Sequence, residues 1–515
     1  MKMYQTVLSL TLLSVIATGL TARGQDANTA ELIKQLQKRI DQLEEKVQAL
    51  EGGKAAGVVT NDAAAKQQIE ELDQKVKVLE RNRELDQEAA EAKAKEAPKI
   101  TVGDQGFSLS SANGNFGLQF RGVLQVDSRT FFEDHGTVGN DGFILRRVRP
   151  ILQGTAFRDF DFLFVPDFGT ANNGGNGGNA PTPQIQDAYL NYRYNPALQV
   201  QGGKFKGPVG LEQLQADRDI LFNERALPTD LVPNRDLGFE LHGDLFKGIA
   251  SYAAGIFNGV GDARNSSLSA YQDNKAFEGR LFFQPFKATS VTALQGLGFG
   301  LGGSYQSDQG TNTLSLPATS GGSLAGYATV GQQQFFAYNP TNRSVVADGQ
   351  HWRLSPQGYY YYGPFSLLGE YVISDQKVAL AGAGPKGSAA LANTGWQINA
   401  GWVLTGEDAT YGSIVPRRSF DPRNGGWGAW QLVARFSALD IDNAAFPLFS
   451  DPLTSAHSAK EWSVGLNWYL NRNVKLGTSF SHTDFEGGGG KGSSPPASVT
   501  RQSENVLFTR VQLAF

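Results

Sequence analysis

The chain contains no cysteine and only two methionines in 515 residues. A disulfide scaffold is therefore excluded, and so is any thiolate-held metal. Its five histidines, at 135, 242, 351, 457 and 482, are scattered without HExxH spacing, and no GxSxG nucleophile motif occurs. GFGLGGS at 298–304 reads as a glycine-rich strand rather than a phosphate cradle, because no helix follows it. Asp440-Ile441-Asp442-Asn443 is a fragment of a calcium loop without the remaining ligands. No catalytic centre, metal site or cofactor is expected. A long apolar run is also missing beyond residue 20. A spanning helix needs about 20 apolar residues, so the mature chain is not expected to cross a membrane as a helix. Net charge is only −4, divided as +2 over residues 1–24, −3 over 25–99 and −3 over the remainder. Neither part is a basic nucleic-acid binder, so any positive charge must act locally.

What is present begins with an export signature. Lys2, the apolar run Val7–Leu20 and the small residues of Ala22-Arg23-Gly24 form the layout of a secretory signal peptide, predicted over 1–24. Residues 31–51 then repeat apolar side chains at 33, 36, 40, 43, 47 and 50. Ile33, Ile40 and Val47 fall at a, with Leu36, Leu43 and Leu50 at d. A second run places Ile69, Leu72, Val76 and Leu79 at the same spacing, after the helix-interrupting GGKAAG of 52–57. The pattern predicts an interrupted coiled coil over 25–97, an oligomerisation element; a helical hairpin is the alternative. β-Branched a positions with leucine at d lean toward a dimer.

After Ala97-Pro98 the period changes to two, over a region expected to run from 98 to 515. In the last twelve residues, ENVLFTRVQLAF, every second residue is apolar and the chain ends on Phe515, which resembles the assembly signal of outer-membrane β-barrels. Alternation and turn residues predict sixteen strands: 116–129, 143–157, 160–168, 184–194, 198–206, 237–246, 249–258, 274–286, 297–306, 350–362, 365–374, 394–404, 427–440, 459–470, 474–485 and 504–515. Short and long connections alternate, with 405–426 a long exception on the short-turn side. High glycine (61 residues) and 11% aromatic content fit extended structure. The expected fold is all-β, a 16-stranded antiparallel transmembrane barrel in the outer membrane, with the coiled coil in the periplasm. Trp462, Trp468 and Tyr359 to Tyr362 are expected at its interfacial girdles.

FILRRVRPILQGTAF, 143–157, puts three arginines in an apolar strand. An arginine on the lipid face costs about 2–4 kcal/mol at mid-depth. Two would cost roughly 4–8 kcal/mol, against a typical whole-domain margin of about 5–15 kcal/mol. Arg147 and Arg149 are thus assigned to a water-filled lumen, and Val148, Pro150 and Leu152 to lipid. Arg146 falls on the lipid side by parity, near the rim. Pro150 lacks a ladder donor and calls for a bulge or weakened pairing. Parity adds Arg121, Arg193, Arg280, Arg353, Arg435 and Arg510 to the lumen, with Asp161, Asp187, Glu240, Asp244 and Glu278. Such charges either tune anion passage or pair with each other and stiffen the wall.

The connection GPVGLEQLQADRDILFNERALPTDLVPNRDLG, 207–238, is too apolar for a flexible loop and is expected to pack in the barrel mouth and narrow the pore. Arg218, Arg225 and Arg235 lie in it, and Lys204 and Lys206 lead into it. Parity puts those lysines outward unless a bulge at Gly202-Gly203 turns them. The stretches FILRRVRPILQGTAFRDFDFLFVPDFG, GGKFKGPVGLEQLQADRDILFNERALPTDLVPNRDLG, GPFSLLGEYV, GAWQLVARFSALDID and GLNWYLNRNVKLGTSFSH resemble the phosphate-selective porin O and P family. The resemblance implies a trimeric porin with a basic-residue-lined pore, passing small anions such as phosphate by diffusion. The six carboxylates Glu212, Asp217, Asp219, Glu224, Asp230 and Asp236 depart from a strongly cationic constriction. Two other roles are kept open: a tether joining the outer membrane to the cell wall or a periplasmic partner, and a general or sugar porin.

Overall fold

The computed structural model describes residues 62–132, 139–169, 183–266, 274–308, 326–338, 344–380, 387–489 and 500–515, with isolated positions besides. The signal-type segment and every a and d position of the first heptad run lie outside the described residues. Two compact units are formed, Met1–Ala97 and Pro98–Phe515.

In the first unit, helix α1 spans Asp62–Glu96. Val76 is its most shielded residue, 6% exposed, and Ile69, Leu72 and Leu79 are partly covered beside it. These four sit at 3–4 spacing and form one stripe. Surface pairs Lys75–Glu71 and Lys77–Asp73 lie outside it. Pro98, which lacks a backbone N–H, follows the helix end.

The second unit opens with a hairpin, β1 (Lys99–Gly103) and β2 (Gly106–Ser110). Sixteen barrel strands follow: β3 (Gly117–Phe132), β4 (Gly142–Ala156), β5 (Phe160–Asp167), β6 (Gln184–Asn195), β7 (Leu198–Lys206), β8 (Arg235–Leu245), β9 (Ala250–Phe257), β10 (Ala276–Phe283), β11 (Leu297–Asp308), β14 (Val345–Tyr362), β15 (Phe365–Leu380), β16 (Ser388–Val403), β17 (Ala429–Asp440), β18 (Ala456–Tyr469), β19 (Val474–Gly487) and β20 (Glu504–Ala514). Between β11 and β14 lies a small hairpin, β12 (Tyr327–Ala328) with β13 (Gln334–Phe336). Each barrel strand pairs antiparallel with the next, and β20 closes on β3 from Asn505↔Phe132 to Ala514↔Val123.

The two faces follow from the period of two. Leu118, Phe120 and Leu124 on β3, Ile398 and Trp402 on β16, and Leu432 and Phe436 on β17 are exposed outward. Gln125, Asn399 and Arg435 on the same strands are buried inward. Outward apolar and inward polar residues are the signature of a lipid-embedded, water-facing barrel. Aromatics mark the short-turn rim: Trp430 stacks on Trp468 at 4.7 Å and Phe420 meets Trp468 edge-on. The tyrosine run divides. Tyr362 is exposed, while Tyr359 and Tyr361 pack against each other at 5.1 Å and Tyr359 meets Phe282.

Closure depends on Phe515. Its N–H donates to Gly122 O at 3.0 Å, and Gly122 N–H donates back at 3.1 Å. A Cβ on Gly122 would stand 3.0 Å from the Phe515 ring, so a larger residue would press on the seam. Beyond the end of β20, β3 pairs instead with β2 through Phe107↔Phe120 and Leu109↔Leu118. The sequence did not reveal this hairpin. All five residues of β1 are exposed, so it has no lipid or lumen face to impose alternation.

Candidate functional site: a constriction loop clamped inside the barrel

The arginine strand departs from simple alternation at one point. In the β3–β4 ladder Gln125 pairs with Arg147 and Val126 with Leu145, leaving Arg146 between them. This is a β-bulge, and it turns both Arg146 and Arg147 into the lumen, 6% and 4% exposed. The lipid-side assignment of Arg146 is thereby corrected: parity assumes an unbroken ladder. Pro150 lies opposite Gly122, whose backbone groups are already taken by Phe515. The β4–β5 ladder stops at Leu152↔Phe164, and the Asp167 carboxylate accepts from Val148 N–H at 3.2 Å in its place.

Loop 207–234 folds inward and lies along the wall made by β14 to β20. Side chains of that wall donate to the loop's carbonyls. Gln357 reaches Val209 O at 2.7 Å, Asn467 reaches Leu221 O at 2.8 Å, Arg435 reaches Glu224 O at 2.9 Å, and Lys475 reaches Ile220 O at 3.2 Å. Gln512 reaches Arg218 O at 3.0 Å. A buried irregular segment requires such partners for its backbone groups. Leu211 N–H donates to Glu370, and the Glu212 carboxylate accepts from Ala226 N–H and Gln397. Leu211–Leu214 forms one helical turn and Leu227–Leu231 a 3-10 turn. The long exception, 404–428, grips the loop from the short-turn end. Tyr411 OH donates to Leu211 O at 2.5 Å, Gln215 donates to Tyr411 O at 2.7 Å, and Ser413 bonds Asp219.

Two loop carboxylates act as hubs. Glu224 takes Arg146 in two bonds, 2.6 and 2.8 Å, and Arg510 at 3.0 Å, with Arg129 at 3.5 Å. Asp217 takes Arg225 at 2.5 Å, Arg147 at 3.5 Å, Arg235 at 3.7 Å, and Arg149 through a short contact. Burial alone would push both acids up. Arg147, Arg225 and Arg149 outweigh it at Asp217, and Arg146, Arg147 and Arg510 at Glu224, holding both well below the usual carboxylate range. The acids Asp127, Asp167 and Asp187 complete the cluster by pairing with Arg510, Arg149 and Arg235. Seven arginines (Arg129, Arg146, Arg147, Arg149, Arg225, Arg235, Arg510) thus meet five carboxylates among the described residues, an excess of two positive charges.

Beside the loop, toward the short turns of β3 to β10, lies a cavity of about 620 Å³. Arg121, Lys206 and Arg280 line it without a carboxylate partner among the described residues. Arg280 donates to Gln357 at 2.8 Å and stacks on Phe282 at 4.3 Å. Lys206 donates to Gln215 O at 2.7 Å, and Arg121 holds Gln153 and Phe515 O. Both ladders of β7 run unbroken through Gly202-Gly203, so no bulge forms there; Gly203 has φ +139°, and a Cβ there would stand 2.2 Å from Ala188 O. Past it, Lys204 is buried and donates to Ser266 O at 2.9 Å.

The remaining predicted arginines sit elsewhere. Arg353, under the long loops, holds Asp262 at 2.7 Å and Val260 O at 2.9 Å. Arg435 grips Glu461 at 2.8 Å and stacks on Phe222 at 4.4 Å. Arg193 is 45% exposed at the short-turn rim, paired with Asp161 at 3.0 Å. Arg218 lies 3.5 Å from Asp219. Sequence reading did not select Lys475, which inward parity on β19 would have found, nor Arg129 or Tyr411. Tyr411 carries no local signal, because its role depends on a segment 200 residues away.

A closed sixteen-stranded barrel with an apolar belt, aromatic rims and a charged lumen narrowed by an inward loop defines an outer-membrane porin. The phosphate-selective porin O and P family matches residues 116–515, and the chain belongs to that family. Porin O of Pseudomonas aeruginosa is 24% identical over 396 residues, covering 73% of this chain and 84% of that protein. Among solved structures, an anion-selective porin from Comamonas acidovorans superposes with TM-score 0.46 at 11% identity, covering 78% of this chain and 100% of its own. The outer membrane channel DcaP of Acinetobacter baumannii gives TM-score 0.44 at 10% identity, covering 78% and 98%.

Proposed function

We propose that this porin passes small anions, phosphate among them, by diffusion past loop 207–234. The observation that carries the reading is the excess of cations over carboxylates where the loop narrows the lumen. In a low-dielectric, confined channel such an excess raises the local anion concentration. The arginines divide into two roles. Arg146, Arg147, Arg149, Arg225, Arg235, Arg353, Arg435 and Arg510 hold the loop and wall through their carboxylate partners and supply a background field. Arg121, Lys206 and Arg280 are free of carboxylates and meet the permeating ion. The test is phosphate titrated into a single-channel chloride recording. Concentration-dependent block, relieved in Arg280→Gln and Lys206→Gln, is expected. Chloride current indifferent to phosphate would remove phosphate from the reading.

Bacterial barrels turn their short connections toward the periplasm, and β3 enters the barrel at that end. Residues 25–97 thus belong in the periplasm, and the 3–4 spacing of Ile69, Leu72, Val76 and Leu79 supports a coiled coil there. Assembly as a homotrimer in the outer-membrane lipid completes the reading. If deletion of 25–97 leaves conductance intact but detaches the envelope, the segment is a tether to the cell wall or a periplasmic partner.

A further inference from the structure

Inward positions of a water-filled barrel are expected to be polar. Along one side of the cavity they are not. Arg121, Val123 and Gln125 share the inward face of β3, and Arg149, Ile151 and Gln153 that of β4. On β5 the inward residues between Asp161 and Asp167 are Leu163 and Val165. An aliphatic position is thus set between polar ones on three adjacent strands. Directly across the ladders each aliphatic residue faces a polar one: Val123 lies opposite Arg149, Ile151 opposite Arg121 and Leu163 opposite Gln153, while Leu163 also faces Tyr189 on β6. The aliphatic side chains neighbour one another on the diagonal, about 7–8 Å apart, and form a diagonal apolar strip flanked by polar groups.

Loop 207–234 does not seal this strip. Its backbone bonds run mainly to β14–β20, with one from Gln125 of β3 to Asp217 O at 3.2 Å, and Val123, Ile151 and Leu163 stay partly accessible to the cavity. At the strip's edge stands Arg121, and Lys206 and Arg280 line the same space. A cavity of about 620 Å³ falls in the range of about 300–1,000 Å³ typical of organic-ligand sites, mostly apolar with a few placed polar groups. An inorganic ion needs neither that volume nor an aliphatic wall.

We propose that this cavity is a transit site for amphipathic organic anions: a carboxylate head drawn to Arg121 at the strip's edge, in a space also lined by Lys206 and Arg280, and a ring or alkyl body lying on Val123, Ile151 and Leu163. The inference rests on the anion-passing reading and names a further solute class for the same pore. Organic acids with an apolar body cross faster than their size alone allows, because the strip offsets the cost of dehydrating the body in the narrow lumen.

The experiment uses the full protein in planar bilayers, with benzoate and acetate as probes. Reversal potentials against chloride give the benzoate-to-acetate permeability ratio, which is compared with the ratio of their free mobilities. A ratio above the mobility ratio, with brief benzoate-dependent interruptions of the chloride current, is expected. In Leu163→Gln and Ile151→Gln the ratio should fall about fourfold, the factor carried by roughly one methylene of burial. Because the wild-type ratio is informative by itself, a variant that fails to assemble leaves the test intact. An anion-selective channel whose ratio matches free mobility overturns this inference alone. A cation-selective channel overturns the anion reading and this inference with it.

Discussion

Arg146 and Glu224 lie face to face, Nε to Oε1 at 2.6 Å and Nη2 to Oε2 at 2.8 Å, and so bolt strand β4 to the constriction loop. Both are buried, so removing one partner strands the other's charge. Glu224→Ala should weaken docking of the loop by about 3–5 kcal/mol. Hydrogen exchange across 217–226 should accelerate, and single-channel currents should become noisier, while the barrel itself stays assembled.

Asp217 answers to four arginines and neutralises part of their field. Asp217→Asn adds one net positive charge to the arginine cluster at the loop. The anion-to-cation permeability ratio is expected to rise, and the rise should shrink at high salt as the field is screened. Unchanged selectivity would place the ion path away from this cluster.

Acid should release the loop only reluctantly. Asp217 and Glu224 have folded-state values below the free ones. Their contribution is therefore complete above about pH 4 and is lost only as pH falls through the lowered folded values. Protection factors across 217–226, taken against the intrinsic exchange rate at each pH, should stay flat from neutral pH down past that point.

Asp230 predicts the opposite sign in a different place. Its carboxylate accepts from Ala328 N–H at 2.8 Å and fastens the hairpin of β12 and β13 to the loop. Burial, with the nearby Asp262 charge, pushes it up to about 7. A raised carboxylate favours docking most when protonated, so docking should weaken as pH climbs from about 4 to about 7. Protection factors at 326–338, taken against the intrinsic rate at each pH, should fall over that window, and Asp230→Asn should flatten their profile.

Gly203 tests the backbone argument. With φ at +139° and Ala188 O 2.2 Å from any Cβ, Gly203→Val cannot keep the local path of β7. Folded barrel should be lost in a heat-modifiability gel, or recovered with Lys204 and Lys206 displaced, which lowers anion conductance.

The barrel was legible because lipid and water impose a period of two on every strand that separates them. All sixteen predicted strands correspond to observed ones with ends shifted by a few residues, the exceptions being elongated long-loop ends such as β14, which begins at Val345 rather than 350. The site was legible only in part. Alternation finds Arg147, Arg149 and Arg280, but the bulge that turns Arg146 inward is stabilised by Glu224, 78 residues later. Likewise no local pattern separates Arg435, which clamps the loop, from Arg280, which faces the cavity. That difference is set by where loop 207–234 lies, and long-range hydrogen bonds fix its course.

The central claim is that the loop-narrowed lumen favours anions through its surplus of cations. The most direct measurement is the zero-current potential of the reconstituted channel under a KCl gradient. The account predicts a potential of the sign set by chloride, moving toward zero in Arg121→Gln, Lys206→Gln and Arg280→Gln combined. A potential set by potassium in the unaltered channel would contradict it.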